Sequence, residues 1–135
     1  MFPSWFVSQA SAYAVLSRYD EAWHWIGEAI DAIERTGETR VEAEVNRIAG
    51  EIALKSPERD IAKAQNYFQR ALAVAHHQQA RCYELRAAMS MARLWRDQGK
   101  RDEARELLAP VYGWFTEGFD TPDLKKAKAL LAELA

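Results

Sequence analysis

Cysteine occurs once, as Cys82, so no disulfide can close within the chain. That fits a reducing, cytoplasmic setting. Only six glycines and four prolines are present, and no run of them makes a linker, so a single domain is expected. No stretch of about 18 apolar residues occurs, and no transmembrane helix is expected. The opening "MFPSWFVSQASAYAVLSRYD" is apolar but lacks a basic leading segment, so it reads as an amphipathic helix and not a signal peptide. Neither charge dominates, with a formal net charge of −2. A protein so balanced lacks the broad positive field that non-specific nucleic-acid binding needs. The apolar–polar alternation of strands is absent as well.

Apolar residues instead recur three and four positions apart along 135 residues, enough for one ordinary core. The spacing predicts helices from Ser4 to Ser17, Asp20 to Thr36, Thr39 to Leu54, Asp60 to Gln79, Arg81 to Gln98 and Arg101 to Glu117. A last helix opens at "TPDL", where Thr121 is suited to cap, Pro122 to the first helical position and Asp123 to the positive end of the dipole. Gly37, Gly99 and Gly118 stand as stops, and Pro57 disfavours helix at Ser56. The second helix is expected to bury Ala22, Ile26, Ala29, Ile30 and Ile33; the fourth Ile61, Ala64, Phe68, Ala71, Leu72 and Ala75; the sixth Ala104, Leu108, Val111, Tyr112 and Phe115.

The even-numbered helices begin alike, as "YDEAWHWIGEAI", "IAKAQNYFQRAL" and "RDEARELLAPVY". Each places a small alanine (Ala22, Ala64, Ala104) four residues before a large apolar side chain (Ile26, Phe68, Leu108). Small against large lets two helices of a hairpin approach closely. The alanines are spaced 42 and 40 residues apart, the mark of a helical solenoid.

On these residues the chain resembles the tetratricopeptide family. The first repeat matches with Phe6, Ala10, Tyr13, Ala22, Ile26 and Ala29. The second matches with Val45, Ile48, Ala49, Ile52, Ala64, Phe68 and Ala71, and the third with Ala88, Met91, Ala92, Trp95, Ala104 and Leu108. Gln9 stands at a leucine position, the terminal proline is missing, and the period exceeds the family's usual ~34 residues. The stretches "RVEAEVNRIAGEIALKSPERDIAKAQNYFQRALAVA" and "ELRAAMSMARLWRDQGKRDEARELLAPVYGWFTEGF" also resemble the C-terminal repeats of large bacterial regulators. Those proteins carry a class III adenylate/guanylate cyclase or DNA-binding domain, then an ATPase module. The resemblance implies an all-α, right-handed solenoid of three helical hairpins, over about residues 4–37, 39–79 and 81–118, with a capping helix over about 121–134. It also implies that Met1 is an internal start or a fragment edge, with any cyclase or ATPase activity in an upstream domain.

No enzymatic constellation stands out. Ser8, Ser11, Ser17, Ser56 and Ser90 lack a nucleophile-elbow motif, and no glycine-rich phosphate loop is present. His76, His77 and Cys82 cluster but diverge, so neither metal nor cofactor is expected. Trp23 and Trp25 in "WHW" point about 100° away from neighbouring positions and cannot form one cage. In "PVYGWFTEGFDTPDL", Tyr112, Trp114, Phe115 and Phe119 read as the seam beneath the capping helix and not as a ligand box. Glu42 and Glu44 read as solvated surface.

The family's first helices line the concave side, which carries Ser8, Ser11, Asn46, Arg47, Gly50, Arg86, Met89, Ser90, Arg93 and Arg96 there. Arginine forks onto carboxylates, and a glycine admits a close backbone. This predicts a groove for an acidic or C-terminal carboxylate segment of a partner protein, with Gly50 as the point of closest approach. The competing reading pairs the arginines with local acids such as Glu44, Glu51 and Asp97. Phe2, Trp5 and Phe6 form an expected self-association face for a homodimer. A non-catalytic protein–protein interaction module of a bacterial signalling protein is therefore expected. A small-ligand effector domain and a purely structural dimerisation module are the alternatives.

Overall fold

The computed structural model describes residues 3–57 and 59–135. Among them are seven helices and no strand: α1 (Pro3–Val15), α2 (Tyr19–Thr36), α3 (Glu42–Lys55), α4 (Ile61–His77), α5 (Arg81–Asp97), α6 (Arg101–Gly113) and α7 (Pro122–Leu134). The fold class is all-α, as the periodicity predicts.

Tight turns join the helices. Three of them close identically, with an N–H reaching back five residues: Arg18 to Tyr13, Ala80 to Ala75 and Lys100 to Trp95, at 2.9, 2.9 and 2.8 Å. The residue before each donor is left-handed: Ser17 at φ 60°, Gln79 at φ 55° and Gly99 at φ 81°. That geometry satisfies carbonyls that the helix end would otherwise orphan. Only Gly99 adopts it without steric cost.

Two boundaries differ from expectation by three residues or more. α3 starts at Glu42 and not Thr39, because residues 39–41 form a turn whose Thr39 carbonyl accepts from Glu42 N–H and Gln78 Nε2, at 3.1 and 3.0 Å. α6 stops at Gly113 and not Glu117. Pro110 lies inside it and lacks an N–H, and glycine costs about 1 kcal/mol in a helix interior. Trp114 and Phe115 donate only three residues back, to Val111 and Tyr112.

Three apolar clusters run along the chain. One joins α1, α2 and α3; the next α3, α4 and α5; the last α5, α6 and α7. Each helix pair thus shares its core with the first helix of the next pair. The backbones follow the same rule: chain neighbours pack together, and α1 touches α3, α3 touches α5, and α5 touches α7. Even-numbered helices meet only through long side chains, such as Trp23 on Tyr67 with ring centroids 6.0 Å apart.

The small–large pairs sit in these seams. Ala22, Ala64 and Ala104 are fully buried, as are Phe68 and Leu108, and Ile26 is 2% exposed. Two residues expected inside are on the surface: Ile30 at 37% and Ile61 at 39% exposure. Ala32 is buried instead, so the inward face of α2 runs through Ala22, Ile26, Ala29 and Ala32 and is turned away from Ile30. A helix face about 100° wide has room for one of the two.

Gly50 is the tightest point. A Cβ there would lie 2.5 Å from Phe68 Cε1 and 2.7 Å from Cδ1. The fully buried ring has nowhere to retreat. Gly27, midway along the exposed side of α2, faces open space. The same substitution therefore acts oppositely at the two sites. Gly50→Ala lowers unfolding free energy by about 1–3 kcal/mol, and Gly27→Ala raises it by up to about 1 kcal/mol. Urea midpoints at unchanged slope measure both, and a neutral Gly50→Ala would show that the ring does not rest on this backbone.

Candidate partner-binding surface

α1, α3, α5 and α7 form one face of the molecule, and the predicted arginines lie on it. Their environments separate them into two kinds.

Arg86 is tied. Its Nε donates to Asp123 on α7 at 2.8 Å, and its Nη1 to Glu44 on α3 at 2.6 Å. The bond to Asp123 is the main influence holding this guanidinium above its ordinary range; partial burial opposes it and Glu44 adds to it. Arg47 donates to the other oxygen of Glu44, three residues before it. Glu44 is therefore no solvated surface acid, as its position in the sequence suggested, but a carboxylate shared by two arginines with 11% side-chain exposure. Arg96 bonds Glu133 at 2.6 Å and Asp97 at 3.3 Å. Partial burial is the largest single influence on Arg96 and disfavours its charge, yet the two carboxylates together outweigh it and the net shift is upward.

Arg93 is different. Its nearest recorded polar neighbour is the Met89 sulfur, 4.0 Å from Nη2. It pairs with no carboxylate among the described residues. It lines two adjoining open clefts. One includes Ser11, Val15, Arg47, Glu51 and Lys55; the other Arg47, Arg86, Asp123 and Lys126. Lys55 and Lys126 are exposed and make no ion pair among the described residues either. Within a chain of formal charge −2, positive charge is concentrated here.

Four of the predicted surface positions are not on the surface. Asn46 is 7% exposed and turns its amide onto the Glu42 carbonyl at 2.9 Å. Met89 and Ser90 are 3% and 2% exposed, and the Ser90 hydroxyl finds no hydrogen-bond partner among the described residues. Gly50 is buried under Phe68, so the room it makes is taken by this chain's own ring and not by a partner backbone. The cause is common to all four. α3 and α5 are each covered on three sides, which leaves only a narrow strip for Arg47, Arg86 and Arg93.

The aromatic candidates divide too. Trp25 stacks on Phe6 at 5.6 Å and meets Trp5 edge-on at 5.1 Å, while Trp23 turns to α4, where Lys63 Nζ lies 4.2 Å from its ring centroid. Tyr112 and Phe115 are half-buried and pack against the cluster that contains α7. Trp114 and Phe119 stay outside that seam, at 57% and 46% exposure. The short α6 ends before it can carry them beneath α7. Trp114 instead stacks under the Arg81 guanidinium at 3.9 Å.

Sequence reasoning overlooked Glu84, which is 8% exposed and receives Arg81 at 3.1 Å, with His76 Nδ1 at 3.2 Å. An acid one turn into α5, three residues after an arginine, was the available signal. Cys82 is exposed, and among the described residues no three of His, Cys, Asp and Glu converge as a metal site. No described helix is long and apolar enough to cross a membrane. No family model, no curated protein and no solved structure matches the chain.

The double bond of Arg86 fastens α7 to both α5 and α3. Arg86→Met should speed amide exchange in α7 more than in α1 or α2. Its cost in stability should stay near 0.5–1 kcal/mol, because a side chain 40% exposed loses much of each pair to solvent. Uniform exchange along the chain would remove the clasp role.

Proposed function

We propose that the chain is a non-catalytic interaction module, a tetratricopeptide-like stack of three helical hairpins closed by α7, which holds an acidic segment of a partner protein against the odd-numbered helices. Several observations support the stack. Each pair shares a core with the first helix of the next, and odd helices approach one another by backbone where even helices reach only by side chain. A layer with closer spacing is the inner side of a curve, so the odd-helix face is the concave one. The resemblance to bacterial regulators makes the sensing or scaffolding end of a cytoplasmic signalling protein the natural setting.

Arg93 carries the reading. A guanidinium on a half-enclosed surface without a carboxylate holds unused N–H donors for a planar anion. Arg47, Lys55 and Lys126 around it extend the positive field, and Val15 gives one cleft an apolar edge. The partner that fits is a peptide segment with carboxylates flanking an aliphatic side chain. The neighbouring arginines are already held in place by Glu44 and Asp123, so little side-chain freedom is lost on binding. Attraction between exposed charges is screened within about 8 Å at physiological salt, so the contact should weaken as salt rises.

A fluorescein-labelled peptide rich in glutamate and carrying one leucine tests this by anisotropy. Arg93→Glu should weaken binding at least about tenfold, in keeping with reversal of a charge at a contact. Arg70→Glu, on the exposed side of α4, should leave binding within about twofold, since it lies outside the contact. Equal losses in the two variants would reduce the effect to net charge and end the assignment of this surface.

A further inference from the structure

α1 is unlike the other helices because no residue before Arg18 is charged. Phe6, Val7, Ala10 and Ala14 are buried in the cluster with α2 and α3. The opposite side is exposed. Trp5 is 40% exposed, Val15 76% and Leu16 64%, and Ser8 and Ala12 between them are exposed as well. At about 100° per residue these five positions fall within an arc about 100° wide, a continuous stripe along the helix. The exposed sides of other helices carry charge, such as Lys63 and Arg70 on α4 or Lys125, Lys126 and Lys128 on α7. An exposed helix side with bulky apolar residues and no charge is suited to contact with another surface.

We propose that this stripe is the contact surface of a homodimer, with α1 packed antiparallel on α1 of a second copy. Two properties select a second copy over another protein. Along the helix the stripe runs bulky, small, small, bulky: Trp5, Ser8, Ala12, then Val15 and Leu16. It reads the same in either direction. A two-fold axis between Ser8 and Ala12 sets Trp5 of each copy against Val15 and Leu16 of the other, as a self-complementary contact requires. The small residues at the middle let the helix axes approach to about 8–10 Å. The stripe is also uncharged, so it meets itself without like-charge repulsion. Trp25, half-buried beside Trp5, widens the apolar contact.

The face differs from the Phe2, Trp5 and Phe6 set that the sequence suggested. Phe6 is 7% exposed and stacked on Trp25, and Phe2 lies outside the described residues. The proposal is carried by α1 and not by acidic-segment binding, which rests on Arg93 on α5, although the two surfaces meet at Val15.

Sedimentation velocity on the full chain, from about 1 μM to about 1 mM, spans the range in which a modest interface associates. The wild type should move reversibly from monomer mass toward twice that mass. Ala12→Arg should weaken self-association by about 100-fold, because it drives an arginine into the middle of the contact opposite Ser8, close to the same arginine of the other copy. Its circular dichroism should be unchanged, since Ala12 is exposed. Ala12→Glu should behave likewise, and an equimolar mixture of the two variants should dimerise again. Ile30→Arg, an exposed apolar site on α2, should leave the dimer intact. A wild type that stays monomeric throughout overturns the proposal. So does a dimer indifferent to Ala12→Arg, and a charge-reversed mixture that remains monomeric overturns the antiparallel register.

Discussion

The structure depends on bulky side chains lying against small ones across helix seams, and Phe68 on Gly50 is the extreme case. A fully buried phenylalanine side chain contributes about 1.5–3 kcal/mol relative to an exposed one. It delivers that here only because α3 presents bare backbone where the ring lands. Ala22 with Ile26 and Ala104 with Leu108, small and large on one helix as Ala64 and Phe68 are, are buried in the other two seams. Because each seam also takes in the first helix of the next pair, the clusters are not closed units. Order passes along the chain from one helix pair to the next.

The two ends are dealt with differently. At the C-terminus α7 supplies Leu124, Ala127, Leu130 and Leu134 inward and three lysines outward, and Arg86 ties Asp123 at its first turn to α5 and α3. Arg101 and Arg105 donate to the carbonyls of Glu133 and Leu134 at its last turn. At the N-terminus α1 has no charged outer side. The outer side of α7 is thus charged and tied down, and that of α1 is uncharged.

The arginine-bearing strip shows how tertiary contacts sort side chains of one type. Arg47, Arg86, Arg93 and Arg96 share residue type and helix register. Glu44, Asp123 and Glu133 reach three of them across helices or along one. Arg86, with two carboxylates, ties three helices together, while Arg93 pairs with none among the described residues. Chain position alone could not separate them, because Asp123 and Glu133 lie 37 residues from the arginines they bind. The reading that local acids neutralise the arginines holds for Arg47, Arg86 and Arg96, and Arg93 is the member it leaves over.

Helix number, the positions of most turns and the small–large pairs were legible in the residues themselves, because a 3.6-residue period, left-handed glycine stops and the need to bury large beside small act over a few positions. The end of α6 was less so: Pro110 and Gly113 together stop a helix whose apolar stripe runs on to Phe115, and their combined effect decides the fate of Trp114 and Phe119. What a side chain faces on the next helix was not legible. Asn46, Gly50, Met89 and Ser90 occupy positions that a single hairpin would leave open, and stacking a third helix over them closes it. Burial on α3 and α5 is set by neighbours tens of residues away, and no local pattern encodes which of two polar faces those neighbours will cover.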